Sequence, residues 1–345
     1  MTELLAQPRD GGHAPLIVEV IRGDMVESRH AVSFAAVDSA GRRIAWRGEI
    51  ESPVFARSAV KGLQALPLVE TGAADRWAVD ASELALACAS HSGEPRHVER
   101  VLHWLERIGL SQADLECGSH TPFHEPSAAA LIAAGLAASP AHNNCSGKHA
   151  GFLATARHMG ERVRGYIEPT HPVQQRVTRV LEEMCGVDLS RAPRGIDGCG
   201  IPVMGVPLEK LALGMARIAD PGALPPDRRA AVDRIRSAVA AEPFMLAGTG
   251  RFCTEVMECL GARAFVKTGA EGVFCAALPE QGIGIALKTV DGAGRAVELV
   301  VAHLLESFGL LDELSRQNLA LRLHPPVFNR VGRLVGAIRI NAGEA

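Results

Sequence analysis

The chain has 345 residues, of which 47% are hydrophobic, with a formal net charge of −3 and eight cysteines. This length corresponds to one large domain or two modest ones, at roughly 150 residues per domain. The slight charge and the lack of long like-charge runs give no indication of a nucleic-acid partner.

The first residues, MTELLAQPRDGGHAP, lack the basic start and apolar run of a secretory signal. The longest apolar block, residues 128–138, is too short to span a bilayer. We therefore expect a soluble, cytoplasmic protein without a membrane partner. In that reducing compartment the cysteines are expected to be free or ligating thiols, not a disulfide framework.

Residues 15–50 predict three strands. The runs LIVEVIRG and HAVSFAAVD flank a Gly23-Asp24 turn, and DSAGR separates the second run from RIAWRGEI. Helical spacing follows in VERVLHWLERIGL, with Gly109 as its stop signal, and again near Val173–Met184 and Val232–Val239.

The C-terminal part returns to strands. The segments ARAFVKTG, GVFCAALPEQGIGIALKTV and GRLVGAIRI are rich in β-forming residues, and GRAVELVVAHLLESFGL between the last two has helical spacing. The economical arrangement joins the terminal strands into one antiparallel sheet with the helices packed against it. We predict an α/β (α+β) fold in a single domain, 1–345, with a central helical region.

The stretch SPVFARSAVKGLQALPL places Ser58 and Lys61 three residues apart. At the start of a helix this spacing puts both side chains on one face, where a buried lysine amine could take the serine proton. The helix N-terminus would add N–H groups beside a developing oxyanion. The alternative is a serine N-cap followed by a solvent-facing lysine, and the pair alone does not decide between them.

Two further stretches could supply the rest of such a site. Lys267, in FVKTGAEG, belongs to a Lys-Thr-Gly element on a predicted strand, of the kind that accompanies Ser-x-x-Lys in penicillin-recognising enzymes. Ser90, in CASHSGEPRHVER, lies between two predicted helices, the first capped by Asp80 and Glu83. The alternatives are a polar strand end and an ordinary loop, with Ser92 capping the next helix.

The stretch HNNCSGKHAGFL crowds polar groups ahead of an apolar helix. Cys145 and His149 are four residues apart, which suits a thiolate–imidazole pair or two metal ligands. Cys199, with Asp197 beside it in GIDGCGIPV, could complete a zinc site. Unliganded buried thiols are the alternative, since no Cys-x-x-Cys motif is present.

Together these stretches resemble the rhizobial-type L-asparaginases, also called the asparaginase II family. The resemblance is carried by RSAVKGLQALPLVE, ASHSGEP, HNNCSGKHAGFL, GIDGCGIPV and VKTGAEGVF, which are spread over most of the chain. It implies a fold like that of serine β-lactamases and glutaminases. It also implies hydrolysis of L-asparagine to L-aspartate and ammonia, and a homodimer.

The resemblance implies roles for particular residues. Ser58 and Lys61 correspond to the nucleophile and its activating lysine, and Ser90 and Lys267 to a second Ser-Lys pair that relays protons or positions the substrate. Arg57, beside the nucleophile, is a candidate for binding the substrate carboxylate.

The resemblance also implies a zinc site. Cys145, Lys148 and Cys199 correspond to its ligands, and Asp197 and His149 are substrate-binding candidates beside it. A lysine ligand lies outside the usual zinc ligands, so the spacing by itself does not propose it. We expect zinc to orient the substrate or the site, because the Ser-Lys pair already provides a nucleophile.

Three alternatives stay open. A glutaminase or β-lactam-recognising enzyme would keep the fold and change the substrate, since one methylene changes pocket discrimination by only about 1–3 kcal/mol. A second enzyme hypothesis makes Cys145 the nucleophile with His149 as its base. A non-enzymatic protein stabilised by zinc is the third.

Overall fold

The structure is a computed structural model that describes residues 14–341. Residues 1–13, which include most of the N-terminal stretch MTELLAQPRDGGHAP, lie outside the described residues. The strands are β1 Leu16–Arg22, β2 Met25–Asp38, β3 Arg43–Arg47, β4 Pro53–Phe55, β5 Arg194–Ile196, β6 Pro202–Pro207, β7 Phe265–Thr268, β8 Val273–Leu278, β9 Ile283–Thr289, β10 Pro326–Phe328 and β11 Leu334–Asn341.

Most of the helices lie in the middle of the chain. They are α1 Lys61–Gln64, α2 Leu66–Glu70, α3 Ala73–Arg76, α4 Ala81–Ala87, α5 Pro95–Arg107, α6 Glu125–Ala133, α7 Ser146–His158, α8 Pro172–Cys185, α9 Leu208–Ala219, α10 Pro226–Ala241, α11 Pro243–Leu246, α12 Phe252–Leu260, α13 Gly294–Ser307, α14 Glu313–Asn318 and α15 Ala320–Leu323. None of the helices in the described range is both long and apolar enough to cross a membrane.

The chain divides into two compact units. The first contains the described residues up to Ala59, Val206–Asp220, and the described residues from Val266 onward; the second contains Val60–Gly205 and Pro221–Phe265. Each unit is therefore assembled from segments distant in the sequence. The single domain over 1–345 stays a prediction.

The first unit contains the predicted antiparallel sheet. Within the described range the sheet has eight strands in the order β10-β11-β1-β2-β9-β8-β7, with β3 paired to β2. The first and last strands pair directly, from Ile17 opposite Asn341 to Arg22 opposite Gly336. The predicted union of terminal strands, and with it the mixed α/β fold class, is confirmed.

Helices α9 and α13 pack on the central strands of this sheet. Every residue of β9 except Lys288 is buried, so both faces of the strand are covered. Alternation along the strand puts Gly284 on the α9 face, where an added Cβ would lie 2.0 Å from Ala216 N and 2.1 Å from Ala212 O. Only glycine permits this approach of helix and strand.

The second unit is mainly helical. Helix α4 contacts α10, α7, α5 and α11, so it lies at the centre of the unit. The predicted capping box at its start is confirmed, because Asp80 accepts from the Glu83 N–H and Glu83 accepts from the Asp80 N–H. The helix thereby holds the loop that follows it, which carries Ser90.

A Gly284→Ala substitution tests the contact between β9 and α9. The methyl group would collide with backbone atoms of the helix, so we expect a loss of about 1–3 kcal/mol in the free energy of unfolding, measured by urea denaturation. Gly294→Ala is the matched control, because no atom lies within 4 Å of its added Cβ. Equal midpoints for the two variants would contradict the close approach.

Candidate active site

Lys61 follows directly on the turn that carries Ser58. A 3₁₀ turn at Arg57–Val60 leads into α1, whose N-cap is Val60 and has no side-chain cap hydrogen bond. Lys61 is fully buried at 0% exposure. The alternative of a serine N-cap with a solvent-facing lysine is therefore wrong.

The Lys61 amine contacts three polar atoms, all in the second unit. Its Nζ lies 2.5 Å from Ala89 O, 3.1 Å from Ser90 Oγ and 3.0 Å from Cys145 Sγ. A buried amine is stable only when its N–H groups are paired. This lysine thus links the predicted second serine to the first cysteine of the predicted zinc site.

In the first unit, Ser58 is half-buried, and the residue before it has an unusual backbone. Arg57 has φ of 50°, in the left-handed region that a non-glycine residue rarely occupies. Such conformations cost of order 1–3 kcal/mol and persist only where the surroundings enforce them. The turn is therefore held in one particular conformation beside Ser58.

The predicted Lys-Thr-Gly element packs on that same turn. An added Cβ at Gly269 would lie 3.0 Å from Ala56 O and 3.2 Å from Ala59 N. Lys267, on β7, is buried at 1% exposure, and its Nζ donates to Thr268 O at 2.8 Å. The first unit thus brings the Lys267 strand against the turn that bears Ser58.

The loop that carries Ser90 is fastened at several points. The Ser90 N–H donates to Leu246 O at 3.0 Å, and His91 Nε2 lies 2.9 Å from Ser146 Oγ at the start of α7. Burial holds the pKa of His91 well below its usual value, so the ring is neutral. Helix α5 begins after Glu94 as N-cap, and Ser92 donates to the Glu94 carboxylate instead of capping the helix.

The predicted zinc ligands come together in the second unit. Cys145 occupies the N-cap position of α7, and Lys148, in the first turn of the helix, donates to Cys199 Sγ at 3.1 Å. Cys199 lies in the turn between β5 and β6, with its sulfur 3.8 Å from Asp197 Oδ2. The Cys145 thiol forms a hydrogen bond with Cys199.

The two cysteines have opposite proton affinities. The hydrogen bond from Cys145, helped by the Lys148 charge, lowers the pKa of Cys199 to about 5, against the effect of burial. The same hydrogen bond, together with burial, raises the pKa of Cys145 to about 11. Burial opposes the charge on Lys148, but the neighbouring Cys199 and Cys145 sulfurs raise its pKa above the ordinary value. The cluster is therefore a thiolate, a thiol and an ammonium group.

His149 is not paired with Cys145. Its Nδ1 lies 2.7 Å from the Tyr166 hydroxyl, and its buried Nε2 has no hydrogen-bond partner among the described residues. Burial, reinforced by the Lys148 charge, keeps the pKa of His149 well below its usual value. The thiolate–imidazole pair is absent from residues 14–341.

Sequence reasoning missed two residues at this site. Tyr166 is the only tyrosine of the chain, and this alone could have marked it as a candidate in the sequence. Cys117 lies near Cys145 and Cys199, and burial raises its pKa to about 12. Nothing in its spacing distinguishes it from the other buried cysteines.

The donor set for a metal is small. Over residues 14–341, no group of three or more His, Cys, Asp or Glu side chains is arranged to hold a metal ion. The cluster has two sulfur donors, Cys145 and Cys199, and one nitrogen donor, Lys148. A metal there would need the lysine amine as its third protein ligand.

A comparison with protein families identifies the chain. Residues 18–340 match the family model described as L-asparaginase II. The chain belongs to the L-asparaginase II family. No curated protein sequence matches it significantly.

The solved structures that match this L-asparaginase II family member share little sequence with it. A crystal structure of Mglu in its native form has 14% identity and a TM-score of 0.44, covering 82% of this chain and 65% of its own, so the chain spans about two thirds of that protein. A β-lactamase from Mycobacterium bovis has 14% identity and a TM-score of 0.39, and the match covers 81% of this chain and 95% of that one. Simvastatin synthase from Aspergillus terreus has 10% identity and a TM-score of 0.37, and the match covers 74% of this chain and 86% of that one.

A Lys148→Met substitution tests the electrostatics of the cysteine cluster. Without the ammonium group the Cys199 thiolate loses its nearest cation, so we expect its pKa to rise by roughly 1–3 units. Thiolate absorbance in metal-free protein, followed against pH and corrected with Cys199→Ser, measures the change. Lys210→Met is the control, and an unchanged Cys199 titration in Lys148→Met would contradict the ion pair.

Proposed function

We propose that the protein is an L-asparaginase that hydrolyses L-asparagine to L-aspartate and ammonia through a serine nucleophile. The observation that carries the proposal is the buried Lys61 amine, which directly follows the Ser58 turn in the chain and contacts Ser90 Oγ and Cys145 Sγ. Membership of the L-asparaginase II family supports the amide substrate.

Ser58 is the proposed nucleophile and Lys61 its base. Lys61, as the neutral amine, takes the hydroxyl proton while Ser58 Oγ attacks the side-chain amide carbon of asparagine. The tetrahedral intermediate collapses, the C–N bond breaks, and ammonia leaves with a proton returned from the site. Water then hydrolyses the β-aspartyl ester and regenerates Ser58.

Ser90 and Lys267 form the proposed second pair. Ser90 Oγ lies 3.1 Å from Lys61 Nζ, a separation that suits proton transfer between the base and the leaving amine. Lys267 is buried on the strand that packs against the Ser58 turn. We assign this pair to proton return and substrate positioning.

The bound amino acid has three candidate partners: Arg57, Asp197 and His149. Arg57 offers a guanidinium group beside the nucleophile, while Nε2 of His149, which has no partner among the described residues, offers a hydrogen-bonding position. Asp197 is suited to the α-ammonium group of the amino acid. Backbone N–H groups, one from Ser58 itself, are the proposed donors to the oxyanion.

Zinc fits the cysteine cluster. Cys145, Lys148 and Cys199 would hold the ion with two sulfurs and one nitrogen, a set of three protein donors. The short Lys148–Cys199 separation and the Cys199 thiolate support this assignment. Bound zinc would orient the substrate and offset the thiolate charge. Ligation would require the Cys145 thiol and the Lys148 ammonium group to lose their protons, so zinc affinity is pH-dependent.

The remaining proposals concern substrate and assembly. Glutaminase or another amidohydrolase activity is the alternative, because the choice of asparagine over the longer glutamine as substrate rests on the family alone. A homodimer with a small-molecule substrate, in the cytoplasm, remains the expectation from the resemblance. A Cys145 nucleophile is disfavoured, because its sulfur contacts Lys61 and Cys199 while His149 faces Tyr166.

Replacing Ser58 by alanine tests the nucleophile. We expect ammonia release from L-asparagine to fall by about 10³-fold or more, because no other group forms the ester. Ammonia is measured by coupled assay with L-glutamine in parallel. Ser52→Ala, at an exposed position six residues upstream, is the control, and full turnover by Ser58→Ala would exclude the mechanism.

Chelation tests the zinc site. We expect removal of zinc to reduce asparaginase turnover and added zinc to restore it, with about one zinc per chain by metal analysis. Cys199→Ala should abolish high-affinity binding, because it removes one of three ligands. The control is Cys259→Ala, a cysteine outside the cluster, and equal zinc contents in the two variants would argue against the assigned ligands.

A further inference from the structure

The single tyrosine of the chain, Tyr166, lies in the interior of the second unit. Tyr166 is fully buried, and its hydroxyl oxygen lies 2.8 Å from Glu116 N and 2.7 Å from His149 Nδ1. A buried tyrosine usually directs its hydroxyl to a partner. Here the partner is the imidazole adjacent to Lys148.

The directions of these two hydrogen bonds follow from the donors available. A backbone N–H can only donate, so the Tyr166 oxygen accepts from Glu116. The hydroxyl proton then points to His149 Nδ1, the other polar atom in contact with that oxygen. A ring nitrogen that accepts carries no proton, so the imidazole proton of His149 lies on Nε2.

This Nε2–H is a buried donor without an acceptor among the described residues. Leaving such a group unpaired costs roughly 1–3 kcal/mol, which a bound acceptor would recover. His149 directly follows Lys148 in the first turn of α7. A charged acceptor forms a stronger hydrogen bond with a buried N–H group than a neutral one, so an anionic oxygen is the favoured partner of this Nε2–H.

We propose that Tyr166 is a positioning residue that locks His149 in its Nε2–H tautomer, so that His149 donates a hydrogen bond to a carboxylate oxygen of the bound amino acid. The inference rests on the proposed function for the identity of the ligand, while the tautomer rests on the hydrogen bonds alone. With its proton on Nε2 and Nδ1 occupied by Tyr166, His149 is neither a general base nor a metal ligand.

Nitrogen NMR of histidine-labelled protein tests the tautomer without reference to activity. His149 signals are assigned by comparison with His149→Gln. We expect the wild-type ring to show a protonated Nε2 and an unprotonated Nδ1, and Tyr166→Phe to lose this pattern in favour of mixed tautomers. A ring protonated on Nδ1 in the wild type, or an unchanged pattern in Tyr166→Phe, overturns the proposal.

Titration with L-aspartate tests the ligand. We expect the His149 Nε2–H resonance to shift on addition of L-aspartate, because the carboxylate accepts its hydrogen bond. The shift should be weakened in Tyr166→Phe. A Nε2–H resonance that L-aspartate leaves unmoved overturns the carboxylate assignment.

Kinetics separate positioning from a general structural effect. For Tyr166→Phe we expect KM for L-asparagine to rise about tenfold while kcat stays within about threefold, because a carboxylate contact is made equally in ground and transition states. Thr155→Val is the control. Thr155 lies on α7, the helix of His149, and its buried hydroxyl donates to Gly151 O. Equal changes in KM for both variants overturn the positioning role.

The two proposals fail differently. If the wild type releases no ammonia from L-asparagine, the proposed function fails, and the NMR measurements still decide the tautomer and the aspartate contact. If ammonia is released but the NMR pattern is absent, the function stands and the role of Tyr166 is wrong.

Discussion

The site depends on the burial of one amine. Lys61 is removed from water and keeps its Nζ in contact with a backbone carbonyl, a serine hydroxyl and a cysteine sulfur. Burying such a group without partners would cost several kcal/mol. The loop of Ser90 and the start of α7 must therefore come to the same point, and their mutual hydrogen bonds through His91 keep them there.

The same amine connects two groups of chemistry that the sequence presents separately. On one side lies the Ser90 hydroxyl, proposed to return protons, and on the other a thiol, a thiolate and an ammonium group. Because Cys145 touches both Lys61 and Cys199, a change at the cysteine cluster alters the surroundings of the proposed base. Metal affinity and catalysis are thus expected to respond together.

Periodicity was sufficient for most of the fold. Helical spacing predicted α5, α8 and α10, while β-forming composition and turn residues predicted the strands at both ends of the chain. Joining those strands into one sheet predicted the pairing of β1 with β11. Composition misleads at residues 128–138, because this apolar run implies burial, whereas α6 has no buried residue. The contact of Lys61 with Cys145 joins residues 84 apart in sequence, and that of His149 with Tyr166 needs tertiary geometry. Local patterns could place these residues on loops and helix starts but could not pair them.

The identity of the esterified residue tests the account most directly. Protein turning over L-asparagine would be quenched in acid, digested and mapped by mass spectrometry for a β-aspartyl adduct. The account predicts the adduct on the peptide containing Ser58, and its absence from Ser58→Ala. An adduct on Ser90 or Cys145 would contradict the assignment of Lys61 as the base of Ser58.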